Sequence, residues 1–176
     1  YVYGITTDQD GAIYIGGLTT KDLDGQTNNG DTDTFVSKFN SDGVKQWTKL
    51  HGSNKSDYGY GITTDSADSI YITGNTAGDL DGQTNNGETD IFVSKFNSDG
   101  IKQWTKLFGS NQTDYANDVT TDSAGSIYIT GSTNGDFHGE INNSNSYIHS
   151  NHNDGFIIKL DSDGKEKWTT LYGSSG

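Results

Sequence analysis

The sequence predicts an all-β protein built from three four-stranded antiparallel blades of the propeller type. Three observations carry this. The chain repeats itself: Tyr1–Asp57 returns as Tyr58–Asp114 with 42 of 57 positions identical, and a third copy runs from Tyr115 with seven extra residues between Asn143 and Asp154. Each copy contains four short β-branched or aromatic runs separated by Gly and Asx turns, as strands and hairpins require. Each copy also carries one Trp at a fixed place, Trp47, Trp104 and Trp168. A repeat of this length made of four strands points to blades, one per copy, so the units are expected at residues 1–57, 58–114 and 115–176.

Within the first unit the strands are expected near Tyr3–Thr7, Ala12–Gly17, Thr34–Asn40 and Val44–Gly52. Asp10-Gly11 joins the first two, because Asp-Gly supplies the positive φ that tight hairpin turns need. Asn40-Ser41-Asp42-Gly43 joins the last two, and Asn97–Gly100 repeats it. Ile13-Tyr14-Ile15 and Phe35-Val36-Ser37-Lys38-Phe39 read as strands, and no stretch shows a sustained helical period. The in/out alternation is imperfect, which is what strands covered on both faces look like. Simple alternation puts Trp47 on the same side as Lys45 and Lys49 and half exposes it.

Val, Ile, Leu and Phe total only 33 of 176 residues, and the net charge is −13. Such values can mark disorder, but 10 Tyr, 7 Phe and 3 Trp held at repeat positions argue for a packed core. The eleven basic residues are all Lys. An acidic surface repels a phosphate backbone and anionic lipid, so nucleic acid and membrane insertion are not expected, and cations are the natural ligands. No apolar run approaches the roughly 20 residues of a membrane helix. With no Cys, neither a disulfide nor a thiolate metal site is possible. Asn-x-Ser/Thr at Asn54, Asn111 and Asn142 is frequent by chance in an Asn-rich chain.

The stretches Asp10–Gly17, Asp33–Gly43 and Lys45–Ser53 resemble the bacterial β-propeller repeat family often called SBBP. The second copy departs at Ala67-Asp68, and the third reads Asp154-Gly-Phe-Ile-Ile-Lys-Leu-Asp-Ser-Asp-Gly. The resemblance implies a fold and no shared enzymatic activity. It also implies a secreted or surface-attached bacterial setting. Closed propellers use roughly 4–8 blades. Three blades therefore imply further blades of a longer chain, a closed ring with a second copy, or an open fibre.

The long loop from Leu18 to Asp33 is the first candidate site. Asp22, Asp24, Gln26, Asn28 and Asp33 recur as Asp79, Asp81, Gln83, Asn85 and Asp90. Oxygen groups at alternate positions suit Ca²⁺, which takes six to eight hard oxygens. The Gly falls at position 4 instead of the EF-hand's 6, and Asp, Asn and Gly also simply build turns. Both readings stand at this stage. The third copy replaces the pattern with Asp136-Phe137-His138-Gly139-Glu140, so weaker calcium binding is expected there. Its His138, His149 and His152, near Glu140 and Asp154, form a candidate zinc or copper set. The Trp and Tyr residues are candidates for stacking on glycans. No nucleophile–base–acid set recurs, and His51 is replaced by Phe108 and Tyr172, so no enzyme is expected. The sequence reading is a non-enzymatic extracellular structural or adhesive protein, self-associating and calcium-stabilised. A lectin-like module is the alternative.

Overall fold

The computed structural model describes residues 1–141 and 153–173. His149 and His152 lie outside them. Every regular element among the described residues is a strand. Blade 1 holds β1 (Val2–Thr7), β2 (Ile13–Thr19), β3 (Asp33–Phe39) and β4 (Lys45–His51). Blade 2 holds β5 (Asp57–Thr64), β6 (Ile70–Thr76), β7 (Asp90–Phe96) and β8 (Lys102–Phe108). Blade 3 holds β9 (Asp114–Thr121), β10 (Ile127–Thr133), β11 (Asp154–Leu160) and β12 (Glu166–Tyr172). Each blade is an antiparallel meander in chain order. The opening strands β1, β5 and β9 adjoin in succession.

The hairpin turns form as their residues dictate. Asn40 Oδ1 accepts from the amides of Asp42 and Val44, and Gly43 takes φ +77°. At the first turn Asp8 Oδ1 accepts from the Ala12 amide and Gly11 takes φ +81°. In blade 2 Asp68 stands at the Gly11 position with φ 57°, one of the few residues besides Gly that tolerate it. Asp65 still accepts from Ala67 and Ser69 there, so the turn survives its departure from Asp-Gly.

Two cores hold the blades together, one at each junction. Between blades 1 and 2, Tyr14 and Val36 meet Ile62, Ile70, Ile72, Leu80, Phe92 and Phe96. Between blades 2 and 3, Tyr71 and Val93 meet Val119, Ile127, Ile129, Phe137, Phe156 and Leu160. A blade thus has a front face of β-branched and aromatic residues toward its predecessor, and a back face of Tyr, Val and Trp toward its successor. Each back-face Tyr is pinned at both ends. Tyr14, Tyr71 and Tyr128 donate to Asp8, Asp65 and Asp122 at 2.8–2.9 Å, and Lys38, Lys95 and Lys159 sit over their rings at 5.0–5.2 Å.

The Trp side differs from simple alternation. The β3–β4 register shifts so that Lys38 opposes Trp47 while Phe39 opposes Lys45. The bulge at Gln46 inserts one residue and reverses the faces before and after it. Lys45 therefore turns to Asp24, together with Thr48, and Trp47 turns to the back face, packed on the core between blades 1 and 2.

Candidate functional site

The long loop is shorter and more ordered than its sequence suggests, because β2 continues to Thr19. Its Leu23-Asp24-Gly25-Gln26 segment is a two-residue hairpin. Leu23 and Gln26 exchange both backbone hydrogen bonds, at 3.1 and 2.9 Å, and Asp24 and Gly25 take φ 51° and 75°. Two successive positive φ values are the type I′ requirement that Asp-Gly satisfies. Asp81-Gly82 and His138-Gly139 repeat it.

The tip is fastened to the fourth strand of its own blade. Asp24 binds Lys45 Nζ at 2.6 Å and accepts from Thr48 Oγ1 at 2.5 Å. Those partners, Lys45 first, hold its carboxyl below the ordinary aspartate range. Asp81 likewise binds Lys102 and accepts from Thr105. In blade 3 the charges trade places. His138 Nδ1 meets Glu166 Oε2 at 2.5 Å, and Thr169 donates to Glu166 Oε1 at 2.7 Å. Glu166 occupies the Lys45/Lys102 position, so the third copy keeps the contact with its polarity reversed. Gln83 Oε1 accepts from the Leu107 amide at 3.2 Å, and its amide group donates to the Thr105 carbonyl. Gln26 occupies the equivalent place in blade 1.

Asp22 and Asn28 shape the base of the loop. Asp22 Oδ1 accepts from the Asn28 amide at 2.9 Å. The Asn28 side chain donates to the Thr19 carbonyl at 3.1 Å and accepts from Gly30 at 3.0 Å. Asp79 and Asn85 reproduce all three bonds. Gly30 is obligatory, since a Cβ there would lie 1.8 Å from the Lys55 carbonyl oxygen.

Asp33 and Asp90 differ from the rest of the candidates because they are fully buried. Asp33 Oδ2 accepts from the Asn29 amide at 2.9 Å, and Asp90 Oδ2 from Asn86 at 2.8 Å. Beside each stands a second buried carboxylate that opens the next blade. The Asp57 amide donates to the Thr32 carbonyl at 2.7 Å, and the Asp114 amide to Thr89 at 2.8 Å. Parallel bridges Thr32–Ser56 and Thr89–Thr113 fix both pairs. Asp57 Oδ2 accepts from the amide and hydroxyl of Ser53, and Asp114 Oδ2 from those of Ser110. The other oxygen, Oδ1, of all four aspartates is buried and makes no hydrogen bond of good geometry, with the Thr76 and Thr133 hydroxyls approaching the carboxylates of Asp57 and Asp114. Burial pushes all four carboxyls upward, and Asp33 adds to the shift at Asp57, as Asp114 does at Asp90. Leaving a buried carboxylate oxygen unpaired is costly, so these positions call for a cation or water.

Asp33 and Asp90 were legible as candidates. The meander also brings Asp57 and Asp114 to the loop end of the blades, where clustered carboxylates favour a cation, but the sequence did not single them out as ligands. Gly52 and Gly109 were missed too. A Cβ at either would come within 2.3 Å of Asp33 or Asp90 Oδ1, so the glycines leave room for the carboxylates. Among the described residues no group of three or more His, Cys, Asp or Glu is gathered for a metal. Calcium at either pair would draw its remaining oxygens from carbonyls, hydroxyls and water. The long loops share an end with the blade connectors, and Asn54 and Lys55 face Gly78, Asp79 and Asn85 across a polar cleft there. The tight hairpins of β1–β2, β5–β6 and β9–β10 gather at the opposite end.

The Beta-propeller repeat family SBBP matches residues 46–81 and 103–138. Each matched stretch begins in the fourth strand of one blade and ends in the long loop of the next, so each straddles one junction. The structure shows a third unit of the same kind. Residues 46–81 and 103–138 thus match the SBBP beta-propeller repeat, and the third unit is similar to them in structure. It is also similar to the regulatory protein FlaEY of Caulobacter vibrioides, 25% identical over 151 residues that cover 77% of this chain and 16% of that protein. Each matched stretch holds the Trp (Trp47, Trp104) and the aspartate that opens the next blade (Asp57, Asp114), and ends at the loop-tip residue Asp81 or His138.

Proposed function

We propose that this chain is a non-enzymatic structural or adhesive module of the cell exterior, a scaffold, surface-layer or fibre element, stabilised by calcium at its blade junctions. One observation carries the structural reading. The residues that recur from copy to copy are engaged with the fold itself. Asp8 and its equivalents hold the back-face Tyr, the Asp24 position fastens the long loop, and the Trp supports the next blade. An acidic, cysteine-free chain of repeats that resemble those of secreted bacterial proteins supports the exterior setting. The regulatory role in the name of the Caulobacter protein concerns a chain of which these repeats cover 16%.

Calcium is supported by the four buried Oδ1 atoms that make no hydrogen bond of good geometry. On this reading the ligands are Asp33 with Asp57 and Asp90 with Asp114. Asp22, Asp24, Asn28 and their equivalents already have protein partners. The lectin-like alternative depends on repeated exposed aromatics. Trp47 and Trp104 are partly buried, with Gly100 and Gly164 of the following blades beside them, which favours a packing role over a sugar platform. A glycan array probed with the purified chain tests the choice. No selective sugar is expected, and selective retention of one glycan class overturns the structural reading.

A further inference from the structure

The two junctions use the same contacts, so the faces left open at the two ends can be compared with them residue by residue. The front-face residues Ile62, Ile70, Ile72, Leu80, Phe92 and Phe96 of blade 2 are at most 6% exposed. Their counterparts in blade 1 are Ile5, Ile13, Ile15, Leu23, Phe35 and Phe39. Ile5 is 70% exposed, and Ile13, Ile15, Leu23 and Phe39 are partly so. On the back face, Tyr71 and Val93 of blade 2 are fully buried. Their blade 3 counterparts Tyr128 and Ile157 line an open groove, and Ile157 is 45% exposed. Trp168 is 44% exposed, where Trp47 and Trp104 are partly buried.

We propose that a second copy of this chain covers these faces head to tail, the front of blade 1 of each copy seated on the back of blade 3 of the other. Two copies then close a ring of six blades, within the usual range of the architecture. This rests on the scaffold reading and names its partner.

The existing junctions specify the contacts. Gly100 and Gly164 are buried, and a Cβ on either would come within 3.2 Å of Trp47 or Trp104, while one on Gly43 would meet nothing. Gly43 of one copy therefore covers Trp168 of the other. Lys38 donates to the Ser98 carbonyl at 3.2 Å and Lys95 to the Ser162 carbonyl at 3.4 Å, so Lys159 donates to Ser41. Thr64 donates to the Thr7 carbonyl and Thr121 to the Thr64 carbonyl, both at 2.9 Å, so Thr7 donates to Thr121.

Side-chain size supports a second copy of this chain in particular. At one back-face position blades 1, 2 and 3 carry Thr34, Ile91 and Gly155. The front-face position that faces it reads Gly59 in blade 2, Ala116 in blade 3 and Val2 in blade 1. A Cβ on Gly59 would lie 2.6 Å from the Thr34 methyl, which shows how close these positions come. Thr34 thus meets Gly59, Ile91 meets Ala116, and at the new junction Gly155 meets Val2. The large residue changes sides only where blade 1 meets blade 3. Asp118 is the one tight point. It stands where Gly4 and Gly61 allow close approach, and it would face Gly4 of the incoming copy.

Light scattering of the purified chain at micromolar concentration tests this. The expected mass is twice the 19.0 kDa of one chain. Ile5→Glu and Trp168→Glu each give monomers with unchanged circular dichroism, since both residues are exposed in the single chain. Gly155→Ile weakens the pair and Val2→Ala restores it in that background, a rescue that nonspecific sticking does not produce. Because the chain has no Cys, a short bis-maleimide should link Ser41→Cys chains to Lys159→Cys chains in a mixture and neither variant to itself. A monomer at all accessible concentrations, or a dimer insensitive to Ile5→Glu and Trp168→Glu, overturns the proposal and leaves the faces to further blades of a longer chain. A ladder of higher masses overturns the closed pair. None of these outcomes touches the glycan result, so this interface and the structural reading can fail separately.

Discussion

Blade 2 and blade 1 are built from nearly the same residues, yet Ile62 is 6% exposed and Ile5 is 70% exposed at the same strand position. The difference is the presence of a preceding blade. In this architecture burial belongs to the junction and not to the blade, because a single twisted sheet has two apolar faces and can cover neither alone. Burying an Ile side chain is worth about 1.5–3 kcal/mol, so the middle blade should carry most of the stability. The two end faces leave apolar residues such as Ile5, Ile157 and Trp168 exposed.

The largest test of that contrast is a matched truncation. Ile62→Ala should cost about 2–5 kcal/mol in urea or thermal unfolding, as large-to-small changes in a packed core do. Ile5→Ala should stay within about 0.5 kcal/mol at concentrations where the chain is monomeric. Equal costs would mean that the blades are independent units.

The junctions themselves differ next. The first contains His51 where the second contains Phe108. The His51 ring is buried edge-on to Phe92 and Phe96, its Nε2 lies 2.8 Å from Ser94 Oγ, and Asp81 stands 3.9 Å away. Burial and then the nearby Lys102 push its pKa down to about 4, against the opposing pull of Asp81. Between about pH 4 and the unfolded value of about 6.5 the unfolded chain binds a proton that the folded chain refuses. Stability from this group is therefore complete above about pH 6.5 and falls as the pH drops toward 4, by up to about 3 kcal/mol. His51→Phe, which copies the second junction, should flatten that slope in melting curves taken from pH 7 to pH 4. Ser94 keeps its bond to Thr105 in the variant. An unchanged slope would show that His51 is not the group responsible.

Calcium separates the junctions from the loop tips. At a hundredfold excess over its dissociation constant a ligand bound only to the folded state adds about 2.7 kcal/mol. Millimolar Ca²⁺ should therefore raise the melting temperature relative to EDTA. Asp57→Asn with Asp114→Asn should make melting independent of calcium, whereas Asp22→Ala with Asp79→Ala should keep the response. The reverse pattern would return the ligands to the loops. Identical melting of the wild-type chain with calcium and with chelator would remove the metal altogether.

Much of this architecture is legible in the sequence, because each signal is local. Asn40–Gly43 and Asp10-Gly11 mark turns by the φ values they permit, and the runs between them mark strands to within a residue or two. The bulge at Gln46 is not legible, since nothing in Lys45-Gln46-Trp47 announces an inserted residue, and one residue reverses every face beyond it. The burial of Asp33 and Asp57 is equally hidden. Asp before a strand reads as a solvated turn until another chain segment closes over it, and at Asp33 and Asp57 that segment is the connector at Gly52 and Ser53. The alternating oxygens at Asp22–Asn28 resemble a calcium loop, while the same Asp24-Gly25 also encodes the I′ hairpin that forms.

One departure could have been decoded from the sequence. Where Asp24 and Asp81 become His138, Lys45 and Lys102 become Glu166. Two positions 21 or 28 residues apart that change together to reversed charges signal contact, and the structure joins them. This yields the smallest expected effect, because exposed ion pairs contribute little. Lys45→Glu sets two carboxylates against each other beside Thr48 and should lower the melting temperature of the chain slightly, with a smaller loss at high salt as screening weakens the repulsion. Adding Asp24→His rebuilds in blade 1 the pair that blade 3 already uses, and should recover the loss below about pH 6.5, where the imidazole carries charge. Recovery that is the same at pH 8 would assign the contact to packing and hydrogen bonding. No recovery at either pH would mean that the His138 tip needs its Phe137 and Phe108 neighbours, which hold that ring at 4.6 and 5.7 Å, and that the loop tip is specified by its junction as the rest of the blade is.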